Sequence, residues 1–111
     1  MRPPVSALAL AVAISLAVPA VAGTRVINVG DNFFVRPGGG TVTVAKGTKV
    51  TWRWTGHNPH TVTVTSGPQK FRSPVYGPTG SRFSHRMTRA GTYKIICEVH
   101  GAAMHMTLKV H

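Results

Sequence analysis

Short stretches of alternating apolar and polar residues constrain the fold of this chain more than any other feature. The pattern extends over residues 41–54 and recurs at 60–65, 92–97 and 104–110. A period of two is typical of β-strands that bury one face, and glycine and proline interrupt the chain at the short intervals that turns between strands require. No stretch after residue 22 has the periodicity of a helix. The sequence therefore predicts an all-β fold.

The remaining segments extend this prediction. Residues 26–29 and 33–36 indicate a short pair of N-terminal strands, and residues 81–87 indicate another strand before Gly91 opens the next. The segment 66–80 is rich in glycine and proline, so we expect an irregular surface excursion that holds Phe71 against the core. Together these patterns predict a single-domain β-sandwich or barrel of seven or eight strands.

The N-terminus has the features of a secretory signal peptide. Arg2 is followed by an apolar run over residues 5–18 and by Pro19-Ala20-Val21-Ala22, a small-x-small cleavage pattern. A membrane anchor is the alternative, but the run is shorter than the roughly 20 apolar residues that a spanning helix needs. We expect a signal peptide over residues 1–22, a domain over residues 23–111, and an exported protein, periplasmic or extracellular, with no lipoprotein anchor.

The charge of the chain is strongly positive. Without Arg2, twelve basic residues remain against Asp31 and Glu98, a formal charge of +10. Such a charge favours solubility, repulsion between copies and attraction to acidic partners or to an anionic membrane surface. We therefore expect a monomer. Nucleic acid is not an expected partner, because the basic residues are scattered singly and export separates the protein from it.

One segment near the C-terminus concentrates residues with metal-binding chemistry. Cys97, His100 and Met104 lie within eight residues of each other, and a second imidazole, His60, opens an earlier stretch of alternation. Thiolate and thioether are soft donors that favour Cu(I), whereas imidazole suits both copper oxidation states. Zinc would not need the methionine. This set is typical of a blue-copper electron-transfer site.

Taken alone, the single cysteine has other interpretations. It could be a small buried side chain, a reactive thiol or the partner in an intermolecular disulfide. A covalent haem site needs a second cysteine, and the chain has one. A cysteine hydrolase needs an orienting Asn or Asp and a substrate cleft, and the apolar surroundings of Cys97 disfavour it. The accompanying His60, His100 and Met104 favour metal ligation.

Several sequence elements occur in the order and spacing of a known family. They are Phe33-Phe34, Val44-x-Lys46-Gly47-Thr48-x-Val50-x-Trp52, Pro59-His60-Thr61-Val62, Phe71, Phe83 and Gly91-Thr92-Tyr93-x-x-x-Cys97-x-x-His100-x-x-x-Met104. The chain from residue 23 onwards resembles the cupredoxins of the plastocyanin, amicyanin and pseudoazurin type. The resemblance implies a Greek-key fold with one copper ion, held by His60 from a mid-chain loop and by Cys97, His100 and Met104 from the loop between the last two strands.

The resemblance also has implications for the surroundings of the copper. Asn58 and Thr61 flank the first ligand, and the residue after that histidine often ties the two ligand loops together in the family. The exposed edge of His100 is where electrons would enter and leave, beside a small apolar surface formed by residues 101–103. His57 is expected at the surface or beside the ligands.

The ligand loop departs from the family in its spacing. Three residues separate His100 from Met104 and five separate it from Met106, whereas two or four are common in the family after Cys-x-x-His. Alternation places both methionines on one face, so Met104 is expected as the axial ligand and Met106 as core. Glu98-Val99 replaces the small or polar residue and proline that often occupy these positions.

Three functions are compatible with these residues. The first is a small exported electron carrier, not an enzyme, that shuttles single electrons between redox partner proteins. The second is a protein that buffers or delivers copper, for which His57, His105 and Met106 would be additional donors. The third is a scaffold that has lost its metal, which the presence of all four ligand types disfavours. Copper nitrite reductases and multicopper oxidases resemble the fold but add a second copper centre between domains, for which 89 residues offer no place.

Overall fold

The structure is a computed structural model that describes residues 22–111. The predicted signal peptide, apart from Ala22, lies outside these residues and stays a prediction. Across the described part of the chain there is no helix, and therefore none long and apolar enough to span a membrane. The eight strands are β1 (Thr24–Gly30), β2 (Phe33–Phe34), β3 (Thr41–Val44), β4 (Lys49–Trp54), β5 (Thr63–Ser66), β6 (Arg82–Arg86), β7 (Gly91–Cys97) and β8 (Gly101–Val110).

The strands form two four-stranded sheets with the orders β2-β1-β4-β6 and β3-β8-β7-β5. Strands that follow one another in the chain mostly lie in opposite sheets, and each sheet contains one parallel pair, β1 with β4 and β3 with β8. Two sheets that each bury one face against the other make a sandwich. The predicted all-β sandwich of seven or eight strands is confirmed.

The core lies between the sheets and consists of the inward faces that the alternation predicts. Trp52 and Trp54 of β4 are buried against Tyr93 and Ile95 of β7 in one continuous cluster. Phe71 packs on this cluster from the irregular segment, with its ring centroid 5.8 Å from that of Trp52. The predicted excursion over residues 66–80 thus closes the side of the core between the edge strands β5 and β6.

Residues 60–65 do not form the single strand that their alternation predicts. β5 begins only at Thr63, and His60 instead makes an isolated backbone pair with Tyr76, His60 N–H to Tyr76 C=O at 2.9 Å and Tyr76 N–H to His60 C=O at 3.1 Å. Thr61, expected to face outward, is fully buried. The physical reason is that the excursion covers one side of this segment and the loop after β7 covers the other.

The pairing of β7 with β8 changes register where the two strands approach their connecting turn. Ile95 lies opposite Met106 and Ile96 lies opposite His105, but Cys97 lies opposite Gly101. Residues 102–104 therefore form a bulge beside Cys97. This bulge places the start of β8 next to the last residue of β7.

Candidate metal centre

Three of the four predicted site residues converge at the end of the sandwich where β7 meets β8. Sγ of Cys97 lies 3.8 Å from Nδ1 of His60 and 3.5 Å from Nδ1 of His100. One donor atom from each of the three residues lies within 4.8 Å of the others. Each imidazole thus presents the same nitrogen, Nδ1, to the sulfur.

Two separate loops position these donors. Cys97 is the last residue of β7, and the turn that follows is closed by a backbone hydrogen bond from His100 N–H to Cys97 C=O at 3.3 Å. His60 comes from the segment between β4 and β5, where its backbone pairs with Tyr76. Cys97 and His60 are fully buried, whereas His100 is half-buried. The two loops therefore enclose the sulfur and leave one imidazole at the surface.

Thr61 connects the two loops. Its backbone N–H donates to Sγ of Cys97 at 3.4 Å, and its hydroxyl oxygen accepts a hydrogen bond from the Glu98 backbone N–H at 2.9 Å. This is the tie between loops that the resemblance implies for the residue after the first histidine. Asn58, the other candidate, is exposed, and it contributes its backbone N–H to Asp31 instead. Thr61 therefore links the segment of His60 to the loop after β7.

Asp31 reaches the site although the sequence suggested no role for it. Its Oδ1 accepts the backbone N–H groups of His57 and Asn58, both at 2.8 Å, and lies 3.6 Å from Nε2 of His60. The Asn58 N–H contributes most to a lowered pKa of Asp31, with His57 and His60 acting in the same direction. Asp31 is therefore an ionised carboxylate next to the buried ring. The sequence did hold one signal for this role: the chain has 2 acidic residues, and Asp31 is one of them and directly follows a strand.

His60 is held as a neutral imidazole between a thiol and a carboxylate. Burial is the largest influence on the pKa of His60 and lowers it, the contact with Asp31 raises it, and the nearby His100 lowers it further, so the net direction is downward. Its Nε2 is buried and makes no direct hydrogen bond to any described residue. A neutral imidazole is the form that binds metals. The ring is thus in the protonation state and orientation of a ligand through Nδ1.

Both candidate methionines are fully buried on the inward face of β8. Met106 lies directly opposite Ile95, two residues before Cys97 on β7. Met104 lies in the bulge that the register change creates beside Cys97. Successive residues on one face of a strand are separated by about 6 to 7 Å, so the two thioethers occupy different levels of the sandwich.

The other histidines are not members of the cluster. His57, His105 and His111 are exposed, as their positions predict. His85 lies on β6, the edge strand of its sheet, where it is half-buried and stacks on Phe71 with a centroid distance of 4.1 Å. The aromatic excursion covers this part of β6.

The donor set fits copper. Two imidazole nitrogens around one buried thiol, with buried thioethers on the adjacent strand, form the ligand combination of a type 1 centre, whereas zinc sites use four strong donors in a closed tetrahedron. The sequence matches the family of copper-binding proteins of the plastocyanin/azurin type over residues 38–111. The chain belongs to this family. It is a blue copper protein of the cupredoxin fold, with residues that fit one copper ion.

Solved structures of cupredoxins are similar to this one. An oxidized amicyanin variant has a TM-score of 0.66 at 25% identity, covering 79% of this chain and 82% of that chain. A purple cupredoxin from Nitrosopumilus maritimus has a TM-score of 0.67 at 24% identity, covering 78% of this chain and 99% of that chain. These matches confirm the cupredoxin fold. A comparison with curated protein sequences finds no match.

A copper-containing nitrite reductase from Thermus scotoductus SA-01 shares the same fold in part. Its TM-score is 0.67 at 22% identity, and the match covers 85% of this cupredoxin. The chain spans only 23% of the length of that reductase. The likeness concerns the fold alone.

Proposed function

We propose that this cupredoxin is an exported carrier of single electrons, in which His60, Cys97 and His100 would hold the copper ion as its strong ligands and Met104 would be a weak fourth donor. The observation that carries the proposal is the buried sulfur of Cys97 with an imidazole Nδ1 on each side, at 3.8 and 3.5 Å. A bound copper ion would supply a one-electron couple between Cu(II) and Cu(I). The position of Met104 in the bulge beside Cys97 supports it over Met106, which faces Ile95.

The protein's contribution is to hold the donors in one arrangement for both oxidation states. Cys97 and His60 are fully buried, so water is excluded from the sulfur and from one imidazole. The Thr61 N–H donates to the sulfur, and such hydrogen bonds tune the potential of a copper–thiolate centre. Loops that are tied together between two packed sheets move little, which favours rapid electron transfer.

His100 offers the route by which electrons enter and leave. It is the half-buried member of the cluster, and exposed Ala102 and Ala103 lie beside it. A small apolar surface around a ligand edge suits a contact that forms and breaks quickly. Because Cys97 and His60 are fully buried, a substrate could not reach the sulfur directly, which supports a carrier and not an enzyme.

The partners we propose are redox proteins with acidic surfaces. The formal charge of the chain is +11, and the charge of residues 23–111 remains strongly positive. Opposite charge accelerates encounter between such partners. We further propose that residues 1–22 direct export to the periplasm or the exterior, and that the protein is a monomer there.

Copper delivery is the alternative function, and the burial of the donors favours electron transfer over it. A protein that hands over Cu(I) needs donors that a receiving protein can reach, whereas two of the proposed ligands are fully buried. Reversible voltammetry followed by challenge with a Cu(I) chelator separates the two functions. We expect a one-electron wave that persists over many cycles with copper retained. Rapid loss of copper to the chelator on reduction would favour delivery.

A further inference from the structure

The chain has only two acidic residues, and one of them faces the proposed ligand His60. Asp31 directly follows the last residue of β1, and its Oδ1 lies 3.6 Å from Nε2 of His60, on the opposite side of the ring from the sulfur. That nitrogen is fully buried and makes no direct hydrogen bond within residues 22–111. The ring is therefore located between Cys97 on one side and a carboxylate on the other.

We propose that Asp31 is a positioning residue of the copper site, which holds His60 with Nδ1 directed to the metal. This inference rests on the proposed assignment of His60 as a ligand. A neutral imidazole carries one proton, on either nitrogen, and a carboxylate beside Nε2 favours the proton there. Nδ1 then carries the lone pair that is available to the metal. Carboxylates that face the second nitrogen of a ligating histidine fix its tautomer and raise its basicity.

The carboxylate is itself held rigidly in the loop. The backbone N–H groups of His57 and Asn58 donate to Oδ1, both at 2.8 Å. On the third side lies Gly56, where an added Cβ would overlap the same oxygen. Asp31 thus connects the β1–β2 turn to the segment that leads into His60, and the parallel pairing of β1 with β4 places the two segments together.

Glu98 provides an internal comparison. It is the second acidic residue and follows Cys97 directly, but its carboxylate pairs with Arg72 at 2.5 Å. Removal of either carboxylate takes one negative charge away from the vicinity of the site, so the two variants have the same change in charge. Only Asp31 faces a ligand ring, so an effect of Asp31 that exceeds that of Glu98 reports on orientation of the ring.

The test compares Asp31→Asn with Glu98→Gln. Asparagine keeps an oxygen that can accept the His57 and Asn58 N–H groups, so the loop is expected to fold. We expect Asp31→Asn to reduce the affinity for Zn(II) and for Cu(II) by about 10- to 100-fold, and to raise the reduction potential, because a lost negative charge disfavours Cu(II). Glu98→Gln is expected to change affinity by less than threefold.

A second measurement does not depend on copper. Nitrogen-15 NMR of the metal-free protein, at a pH where the ring is neutral, reports the tautomer of His60. We expect protonated Nε2 in the native protein and a lower fraction of that tautomer in Asp31→Asn, because a neutral amide oxygen accepts the Nε2 proton less strongly than a carboxylate does. Gly56→Ala keeps the carboxylate but displaces it, and we expect a lower fraction there too.

The outcomes separate this inference from the proposed function. Equal metal affinities of Asp31→Asn and Glu98→Gln, with an unchanged His60 tautomer, would overturn the role of Asp31. If the native protein bound copper without a blue colour, the proposed function would fail, and the tautomer measurement would still decide on Asp31. A His60 tautomer that changes in Asp31→Asn but not in Glu98→Gln would support the inference, whether or not the copper-loaded protein is blue.

Discussion

Thr61→Val is the substitution that most directly tests how the two ligand loops are held together. Valine has nearly the same shape as threonine but lacks the hydroxyl. In the native protein this hydroxyl accepts the Glu98 backbone N–H at 2.9 Å and shares a hydrogen bond with the Thr63 hydroxyl at 3.0 Å. The fully buried position offers no replacement from solvent. The substitution therefore leaves the Glu98 N–H without its acceptor.

The magnitude follows from these two contacts. The Thr63 hydroxyl is half-buried and can turn towards water, so its loss costs little. The Glu98 N–H is part-buried, so we expect the loss of its acceptor to cost about 1 kcal/mol, the lower end of the range for an unsatisfied backbone group. With a urea dependence of about 2 kcal/mol per molar, within the range of small proteins, the unfolding midpoint of the metal-free protein should fall by roughly 0.5 M.

Urea denaturation of the metal-free protein measures this effect, and Thr63→Val is the matched control. The control removes the same group from a neighbouring side chain on which no backbone N–H depends, so we expect less than half the shift. A native-like midpoint for Thr61→Val, or equal shifts for both variants, would refute the reasoning that Thr61 ties the loops together.

Three further predictions concern the metal and the histidine on β6. Copper at a hundredfold excess over its Kd should stabilise the native protein by about 3 kcal/mol and raise the midpoint of thermal unfolding; identical midpoints would indicate a metal-free scaffold. Met104→Leu should raise the reduction potential measured by voltammetry, because removal of a weak donor disfavours Cu(II), whereas Met106→Leu should not; the reverse result would make Met106 the axial ligand. Burial lowers the pKa of His85 below its usual 6.5, so the unfolded chain binds more protons and the free energy of unfolding should fall as the pH drops below 6.5. His85→Gln should remove part of that fall in urea titrations of the metal-free protein; an undiminished fall would contradict the role of His85.

Local patterns in the sequence were sufficient to predict the strands and the loop that carries Cys97 and His100. The alternation on β4, β7 and β8 reports directly which faces are buried, and the short spacing between cysteine and histidine brings them together in any turn. Thr61 shows where alternation fails, because residues 60–62 are covered on both sides and do not form a strand.

The contact of Asp31 with His60 could not be predicted in this way. It depends on the parallel pairing of β1 with β4, between segments more than 20 residues apart, and on the turn after β1, where Asn32 has a φ of 71°. Alternation reports the faces of single strands and not which strands are neighbours. The position of Met104 likewise depends on a register change between β7 and β8 that no local pattern reveals.

The visible absorption of the copper-loaded protein tests the central claim most directly. A thiolate bound to Cu(II) absorbs intensely through charge transfer, so the native protein is predicted to be intensely coloured, Cys97→Ser colourless, and His60→Ala and His100→Ala much weaker in copper binding. His57→Ala, which changes an exposed histidine near the site, should keep the colour. Full colour in Cys97→Ser, or copper binding without an intense band in the native protein, would contradict the assignment of a blue copper site at Cys97.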